Sequence, residues 1–496
     1  MENLLIMGID TRPMVNSALR LDYRTFSISY FKTADFKIPF KEKHILDQES
    51  VNSCGNFEDN YSPQKLLELS RDILYKTDAN TTIDEKINKN KKDETKNSNL
   101  NKKPSIENSE IDKIVLTTGI NANDFMGEFS KFKNKIVGNK KTETVDDKFK
   151  FYKKLKNKFN VPSTFQPKHL SDLIEILKQN DNLSFILKPV KGSGGLGFLF
   201  LNNERLHQLN NIEKFFEKID LENYMLQEYV SGINLSSSVL GSKNDARNIF
   251  NSRLITENDL GKDSFEYSGN IMPLDFRSIN KFNHNNIQNN SIETKGQNNN
   301  SIQNNIQKYN FSQNNNQKNN FSQNNNQKND LLQNKKNSNL KNKFSEREVK
   351  EINEEMKILS EDLIRKFNLV GSNGIDFILG ENGLNVIEIN PRFQGTYELC
   401  ENVMDINLLE AHIKACEGEL IEIPPIERYG IKKIVYSKKQ ILIGDLNLKN
   451  VYDIPYNGVK IEANQPIITI ISSDKDLEIA IRNMEIAEKQ MYEHIS

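Results

Sequence analysis

The sequence predicts a mixed protein of the α/β and α+β classes, and three stretches support that prediction. Residues 4–31 place a helical pattern between two apolar runs, which is typical of the start of an open parallel sheet. Residues 185–200 place four glycines between two apolar runs, which predicts a strand, a glycine-rich loop and a strand. Residues 374–392 alternate apolar residues with acids around a Gly/Asn-rich break, which predicts an antiparallel hairpin.

The N-terminal stretch predicts a Rossmann-like domain. Its first apolar run, residues 4–9, is typical of a buried parallel strand, and Pro13 suits the first turn of the helix that follows. Thr11 or Asp10 can cap that helix. The pattern continues as a strand over 23–31, a helix over 63–75 and a strand over 111–117. No G-x-G-x-x-G motif follows the first strand, which argues against dinucleotide binding.

Two polar segments interrupt the chain. Residues 78–109 contain scarcely an apolar side chain, and residues 281–344 are rich in Asn and Gln, with a decamer at 310–319 repeated at 320–329. Segments of this composition cannot form a packed core, so both are predicted to be disordered insertions. An inert loop insertion is favoured for the second over a partner-binding or condensing segment.

The middle of the chain carries a candidate phosphate loop. A helix is predicted from 146 to about 159 and another around 170–177, before the glycine-rich loop at 192–197. Glycines let a backbone turn its N–H groups toward an anion, and Lys188 would add a point charge. The motif is not a Walker A loop, because no helix or Gly-Lys-Ser/Thr follows. Simple chain reversal is the alternative.

Residues 224–240 predict a strand, a short break and a second strand. A nucleotide base at the break could bond the backbone of Glu228 and Val230, although an edge-strand crossover explains the pattern equally well. Ser345 and Glu348 then form a capping box that begins a helix. The apolar face of this helix consists of Val349, Ile352, Met356, Leu359, Leu363 and Phe367.

The acidic hairpin is a candidate metal site. Asp376 and Glu388 lie opposite each other if the loop has an odd number of residues, and a three-residue loop of 381–383 ending in glycine satisfies this condition. Asn390 lies two residues beyond Glu388 and shares its face. Two carboxylates and an amide oxygen are ligands that Mg²⁺ and Mn²⁺ prefer. The alternative is a surface hairpin with two solvated acids.

Composition limits the class of protein. The 496 residues allow three domains, and a net charge of −1 with a pI of about 6.7 gives no basic field for nucleic acid. The three cysteines have no disulfide or metal spacing, which favours a reducing cytoplasm. No stretch approaches the roughly 20 apolar residues of a membrane span. The expectation is a cytoplasmic protein without nucleic-acid or membrane partners, and a homo-oligomer stays open.

Four motifs together carry a resemblance to a known superfamily. In chain order they are Asp147-Lys148, then Lys188-Pro189 with the glycine loop, then Gln227-Glu228-Tyr229-Val230 with Gly232, and finally Asp376 with Glu388-Ile389-Asn390-Pro391-Arg392. From about residue 1 to 480, without the insertions, the chain resembles ATP-grasp enzymes. It is most similar to archaeal predicted carboligases, and more distantly to biotin carboxylases and tyramine–glutamate ligase.

The resemblance implies a domain layout. A Rossmann-like pre-ATP-grasp domain would cover 1–140, and the small ATP-grasp subdomain with the glycine-rich loop would cover 141–232. The large subdomain with the metal site would cover 233–430, and a small β-rich part with a final helix would cover 431–496.

The resemblance also implies roles for individual residues. Lys148 and Lys188 would contact the ATP phosphates, and Arg392 and Lys188 would be catalytic. The other positions implied are the phosphate cover Gly192, Ser193, Gly194 and Gly195, the adenine segment Gln227, Glu228, Tyr229 and Val230, and the Mg²⁺ or Mn²⁺ ligands Asp376, Glu388 and Asn390. Many relatives carry glutamate as the ribose ligand where this chain has Asn234.

The function implied is an ATP- and Mg²⁺-dependent carboxylate ligase. It would activate a small-molecule carboxylate as an acyl phosphate for attack by an amine or another nucleophilic acceptor. One alternative within the same class is a small-molecule amide ligase that resembles tyramine–glutamate ligase. It contrasts with a carboxylase-type enzyme, which would activate bicarbonate. Another is a non-catalytic ATP-binding module whose Asn/Gln-rich insertion recruits a partner.

Overall fold

The structure is a computed structural model that describes most of the chain outside the two predicted insertions. The residues described are 1–37, 39–46, 61–75, 110–192, 195, 197–202, 216, 219–260, 264–281 and 343–495. The segment 78–109 and nearly all of 281–344 lie outside them. One parallel sheet, three antiparallel sheets and the surrounding helices confirm the predicted mixed class. In the part described, no helix is both long and apolar enough to cross a bilayer.

A five-stranded parallel sheet forms the N-terminal part of the fold. Its strands are β1 (Glu2–Gly8), β2 (Tyr23–Phe31), β3 (Lys41–Leu46), β4 (Lys113–Leu116) and β5 (Ile136–Val137). They lie in the order β3-β2-β1-β4-β5, so the apolar first run is the central strand, and Leu4 and Ile6 are fully buried. Around the sheet lie α1 (Arg12–Ala18), α2 (Pro63–Leu69), α3 (Arg71–Leu74) and 3₁₀ segments Ala122–Asp124 and Gly127–Lys135. Ser70 divides the predicted helix over 63–75.

A four-stranded antiparallel sheet contains the glycine-rich segment. Its strands are β6 (Thr164–Phe165), β7 (Phe185–Pro189), β8 (Leu199–Leu201) and β9 (Tyr224–Glu228), in the order β6-β9-β7-β8. The helices here are α4 (Glu143–Asp146), α5 (Lys148–Leu155) and α6 (Leu170–Gln179). The helix predicted from 146 to about 159 is shorter in the structure and begins at Lys148, because Asp147 is extended and its carboxylate accepts a hydrogen bond from the Lys150 N–H at 2.8 Å. Asp147 therefore caps a new helix.

An eight-stranded antiparallel sheet forms the centre of the rest. Its strands are β10 (Ile233–Gly241), β11 (Ala246–Thr256), β12 (Tyr267–Met272), β13 (Gly371–Gly380), β14 (Gly383–Asn390), β15 (Tyr429–Tyr436), β17 (Val451–Tyr452) and β19 (Pro466–Asp474). Their order is β14-β13-β10-β11-β12-β15-β19-β17, and β16 (Ile441–Leu442) pairs separately with β18 (Lys460–Ile461). The strands from the predicted C-terminal part thus continue the same sheet.

Five helices accompany this sheet: α7 (Phe276–Asn280), α8 (Glu346–Phe367), α9 (Tyr397–Met404), α10 (Leu408–Glu417) and α11 (Leu477–Glu493). Both bonds of the predicted capping box are present at the start of α8, between Ser345 and Glu348. Val349, Met356 and Leu363 from its apolar face are buried in the core beneath β10 and β13. This face fixes the helix against the sheet that carries the acidic hairpin.

The acidic hairpin has the predicted pairing of Asp376 with Glu388, but its turn differs from the prediction and a β-bulge compensates. The expected three-residue loop is wrong, because Gly380 pairs with Gly383 across a two-residue turn. Phe377 pairs with Val386 and Asp376 pairs with Glu388, so Ile387 is an extra residue on β14. This bulge restores the odd spacing that brings the two acids opposite each other.

One buried arginine joins distant parts of the chain. Arg12 is 1% exposed, and its two Nη atoms donate to Glu398 at 2.8 and 2.6 Å. Its Nε donates to Asp453 at 2.8 Å and lies 3.4 Å from Asp35. Burial, and then the charge of Asp453, raise the pKa of the nearby Asp10 to about 7. We call these five residues the Arg12 cluster.

The two ends of the second insertion meet at one point. Asn280 Nδ2 donates to the Phe344 carbonyl at 2.9 Å, and Asn280 Oδ1 accepts from the Phe344 N–H at 2.8 Å. The chain therefore leaves and rejoins the fold at adjacent positions.

Candidate functional site

A cleft of about 410 Å³ lies between the four-stranded and eight-stranded sheets, and we call it the hairpin cleft. Most of the predicted site residues line it: Lys188, Gly195, Gln227, Glu228, Tyr229, Val230, Asn234, Asp376, Glu388, Asn390 and Arg392. Lys148 and Gly192 line a second cavity that adjoins it. Ser193 and Gly194 lie outside the described residues.

The predicted metal ligands contact one another in the cleft. Asn390 Nδ2 donates to Asp376 Oδ2 at 3.0 Å, and Ser236 Oγ donates to Asp376 Oδ1 at 2.8 Å. Burial, and then the charge of Glu388, raise the pKa of Asp376 to about 7. The fold therefore holds two carboxylates where they repel each other, and a divalent cation would remove that repulsion.

The donor set fits a hard cation that keeps open positions. Asp376 and Glu388 supply carboxylate oxygens and Asn390 supplies an amide, whereas no group of three or more His, Cys, Asp or Glu side chains is placed for a metal in the described residues. Mg²⁺ typically binds through one or two carboxylates and takes its remaining ligands from water and substrate phosphates. The residues present fit that mode.

Two buried lysines face the acids. Lys148 is 7% exposed, and its Nζ lies 3.0 Å from Glu388 Oε2 and donates to the Gly192 carbonyl at 2.5 Å. Burial disfavours the Glu388 carboxylate, but the charges of Lys148 and Lys188 outweigh this effect and lower its pKa. Lys188 is 3% exposed beneath Phe198, and burial lowers its pKa to about 8. This end of the cleft therefore suits a polyanion.

Arg392 lies beside the same acids and adjoins a residue that the sequence analysis missed. Its Nη2 donates to Asn390 Oδ1 at 3.2 Å, and burial lowers its pKa. Gln394 occupies the space over Gly374, where a Cβ would lie 1.4 Å from Gln394 Nε2. The alternate spacing that links Glu388, Asn390, Arg392 and Gln394 could have identified Gln394.

The opposite end of the cleft is aromatic and apolar. The ring of Tyr229 contacts Phe200 and Phe265 edge-on, with centroid distances of 5.2 and 6.1 Å. The N–H groups of Glu228 and Tyr229 donate to the backbone carbonyls of Ser163 and Ser184 at 2.8 Å, which positions the strand end. A contact between a nucleotide base and the backbone of Glu228 and Val230 stays a prediction. Asn234 lines the cleft, but nothing in the structure assigns it a ribose contact.

The glycine-rich segment lies close to both sides of the cleft. Gly195 has φ +76°, and a Cβ there would lie 2.3 Å from the carbonyl oxygen of Phe265. Only glycine satisfies both requirements. The Gly192 carbonyl accepts a hydrogen bond from Lys148, so Gly192 lies beside the lysine pair and Gly195 lies at the aromatic end.

A second cavity, of about 740 Å³, adjoins the hairpin cleft, and Thr118, Asn390 and Arg392 line both. It lies at the carboxyl ends of β1 and β4, which are neighbours although they are distant in sequence. The chain order reverses between these strands, so we call this space the switch-point cavity.

The chain is similar to a known protein family and to individual known proteins. Residues 145–294 and 315–396 match the family model described as the ATP-grasp domain. A protein of Methanocaldococcus jannaschii, itself described as uncharacterized, is 27% identical over 476 residues, which is 95% of this chain and 88% of the relative.

Similar solved structures share the fold at low sequence identity. A biotin carboxylase from Campylobacter jejuni is 12% identical with a TM-score of 0.62, covering 100% of this chain and 92% of its own. The biotin carboxylase domain of a Hydrogenobacter thermophilus 2-oxoglutarate carboxylase, complexed with MgADP, ADP and bicarbonate, is 14% identical with a TM-score of 0.60 and coverages of 100% and 90%. An N5-carboxyaminoimidazole ribonucleotide synthetase from Thermotoga maritima is 12% identical with a TM-score of 0.54 and coverages of 99% and 98%.

Proposed function

From the match of residues 145–294 and 315–396 to the ATP-grasp domain model, we propose that the chain is an ATP- and Mg²⁺-dependent ligase that activates a carboxylate as an acyl phosphate. One observation carries the proposal. The hairpin cleft has an aromatic slot at one end and, at the other, two opposed carboxylates beside the cations Lys188 and Arg392. A nucleotide matches both ends of this cleft, because it carries a base at one end and a polyphosphate at the other.

Asp376, Glu388 and Asn390 would hold Mg²⁺, which when bound neutralises charge on the phosphates. Ser236 and Asn390 hold the Asp376 carboxylate by hydrogen bonds to its two oxygens, which keeps it oriented toward Glu388. The bulge at Ile387 sets the register. The side chains are therefore positioned by the sheet itself rather than by a loop.

The protein's part in phosphoryl transfer is electrostatic. A carboxylate oxygen of the substrate attacks the γ-phosphorus of ATP, and the bond from that phosphorus to the bridging oxygen of ADP breaks. Lys148, Lys188 and Arg392 stabilise the negative charge on the transferred oxygens. Gly195 lies against the Phe265 carbonyl, and the glycine-rich loop would keep water from an acyl phosphate.

The carboxylate can be organic or bicarbonate, because both present the same attacking oxygen. Bicarbonate is bound in the Hydrogenobacter structure, which supports its inclusion in any substrate panel. A carboxylase would use bicarbonate alone, whereas an amide ligase would need an organic acid.

Trapping of the activated carboxylate tests the proposal. The protein is incubated with Mg²⁺, ATP, hydroxylamine and single carboxylates, and both the nucleotide product and the hydroxamate are measured. The expected result is ADP with a hydroxamate for an organic acid, or ADP release that depends on bicarbonate. Formation of AMP, or no carboxylate-dependent ADP from any acid in the panel, would refute it.

A further inference from the structure

The open end of the acidic hairpin is held by a residue from the parallel sheet. β13 begins at Gly371 and β14 ends at Asn390, so these two strand ends lie at the end of the hairpin opposite its turn. Asn139, the second residue after β5, contacts the start of β13 and the chain just beyond β14. Residues that are far apart in the sequence therefore meet beside the metal ligands.

The side-chain amide of Asn139 makes three hydrogen bonds. Its Nδ2 donates to Asn373 Oδ1 at 2.8 Å and to the Pro391 carbonyl at 3.0 Å, and its Oδ1 accepts from the Val370 N–H at 2.8 Å. An amide group has two N–H donors and one carbonyl, so these partners determine which way round it lies. One side chain thus ties both strands at the open end of the hairpin.

The bond to Pro391 acts where the sheet supplies no partner. The pairing of β13 with β14 ends with Gly374 and Asn390, so the Pro391 carbonyl lies beyond it. The next N–H, that of Arg392, donates to the Asn390 carbonyl at 2.8 Å. The peptide group after Pro391 is therefore held on its carbonyl side by Asn139 and on its N–H side by Asn390.

Two of the candidate site residues flank this peptide group. Asn390 Nδ2 donates to Asp376 Oδ2 at 3.0 Å, and Arg392 Nη2 donates to Asn390 Oδ1 at 3.2 Å. A rotation of the peptide group would move both side chains, because both residues adjoin it in the chain. In the proposed function these side chains are a metal ligand and a cation beside the transferred phosphoryl group.

A second tie next to Asn139 fixes the strand from which it comes. His412 Nδ1 accepts from the Ser372 N–H at 2.8 Å, so the other ring nitrogen, Nε2, carries the proton and donates to the Val137 carbonyl at 3.1 Å. Burial lowers the pKa of His412 to about 4, so the ring stays neutral near pH 7 and both bonds persist. The end of β5 is therefore a fixed support for Asn139.

We propose that Asn139 is a positioning residue for the metal and phosphate site, which it keeps in shape by fixing the peptide group after Pro391. The inference rests on the proposed ligase function and adds to it a residue of the parallel sheet that acts through Asn390 and Arg392. If Asn139 only fastened the two sheets together, its loss would lower stability and would reduce every binding property to the same extent.

Manganese binding tests the inference independently of turnover. The protein, saturated with ADP, is titrated with Mn²⁺, and free Mn²⁺ is measured by electron paramagnetic resonance. Asn139→Asp has nearly the same shape but lacks both donors, and Asn139→Ala lacks the whole amide. Both should weaken Mn²⁺ binding by about tenfold or more, as is typical when a group that orients metal ligands is lost. Affinity for ADP without metal should stay close to that of the wild-type protein.

Three further variants separate positioning from stability. Asn373→Ala removes a fully buried partner of Asn139 but leaves the bond to Pro391, so it should lower the melting temperature at least as much as Asn139→Ala and affect Mn²⁺ binding much less. In an Asn390→Ala background, Asn139→Ala should have little further effect on Mn²⁺, because the two residues act through one peptide group. Asn134→Asp, at an exposed position, is the matched control and should behave like the wild-type protein.

The outcomes separate this inference from the proposed function. If both Asn139 variants bind Mn²⁺ as the wild-type protein does, or if Mn²⁺ and ADP affinities fall together, the inference is wrong and the ligase proposal stands. If Asn139→Ala does not fold, Asn139→Asp decides, and if neither folds, Asn139 is a purely structural residue and the inference is again wrong. Failure of the wild-type protein to bind ADP or Mn²⁺ would overturn both.

Discussion

Lys148 and Glu388 form an ion pair of 3.0 Å, although the resemblance assigns Lys148 to a phosphate and Glu388 to a metal ion. The pair joins the start of α5 to β14, on opposite sides of the region where the two sheets meet. Each side chain thus holds the other in place before any ligand binds. A bound metal and phosphate would share the two charges that now neutralise each other.

Glu388→Gln should strongly reduce turnover and abolish the stabilisation by Mg²⁺ and ADP, while preserving the shape of the hairpin. Loss of one metal carboxylate removes several kcal/mol of charge stabilisation, which corresponds to more than about a hundredfold in turnover. The rise in melting temperature that Mg²⁺ and ADP produce together should also vanish. Glu381→Gln, in the exposed turn of the same hairpin, is the control and should behave like the wild-type protein. Equal ligand-induced stabilisation in both variants would rule out the metal assignment.

Lys188→Met should weaken ATP binding about ten- to hundredfold, since it removes a charge-assisted phosphate contact worth about 1.5–3 kcal/mol. Turnover should fall further than affinity, because charge on the transferred group is stabilised most in the transition state. Calorimetry with an ATP analogue measures the first effect. Lys178→Met on α6, away from the cleft, is the control, and an unchanged affinity in Lys188→Met would exclude the phosphate contact.

Replacement of residues 282–342 by a short Gly/Ser linker should leave the melting temperature equal or slightly higher. Asn280 and Phe344 are already joined by two hydrogen bonds, so a short linker closes without strain. Loop-closure entropy changes by only roughly 0.6 kcal/mol per doubling of length. Differential scanning calorimetry of both proteins provides the measurement, and a fall of several degrees would show that the segment stabilises the fold.

The contribution of Asp10 to stability should fall as pH rises from about 4 to 7. In the folded state the pKa of Asp10 is about 7, above its ordinary value of 3.8, so the folded protein holds a proton that the unfolded chain has lost. Stability from this group is therefore present at low pH and lost as pH rises through about 7. Asp10→Asn should flatten the dependence of melting temperature on pH between 5 and 8. An equally steep dependence would show that Asp10 is not responsible.

Local patterns in the sequence predicted much of the fold. The apolar run at 4–9, the capping box at Ser345 and the strand pair at 224–240 each contain their own signal, and the structure confirms all three. The register of the hairpin was harder to predict, because a bulge such as that at Ile387 depends on how β13 and β14 pair rather than on either strand alone. The start of α5 beside Asp147 was predicted, but its end at Leu155 was not, because the apolar spacing of Phe151 and Leu155 continues to Phe159.

The site was predictable where its residues lie on one hairpin. Alternation along β14 groups Glu388 with Asn390, pairing across the turn adds Asp376, and the structure brings the three together. Ser236 reaches Asp376 from β10, and Asp124 and Asp146 reach the switch-point cavity from separate segments. These positions are set by the tertiary structure, so no residue spacing in the sequence predicts them.

The Arg12 cluster also limits how this chain can be dissected. Glu398 and Asp453 receive their hydrogen bonds from an arginine near the N-terminus, so a fragment that began after residue 140 would leave both carboxylates without that cation. The deletion would also expose apolar residues such as Leu399 and Leu408, which share one core with Leu4 and Met14, and this exposure would make such a fragment unstable even though its own sheets were complete. The part of the chain that follows residue 140 is thus a poor candidate for expression as a truncated protein, and functional work on it calls for residues 1–140 in the same polypeptide.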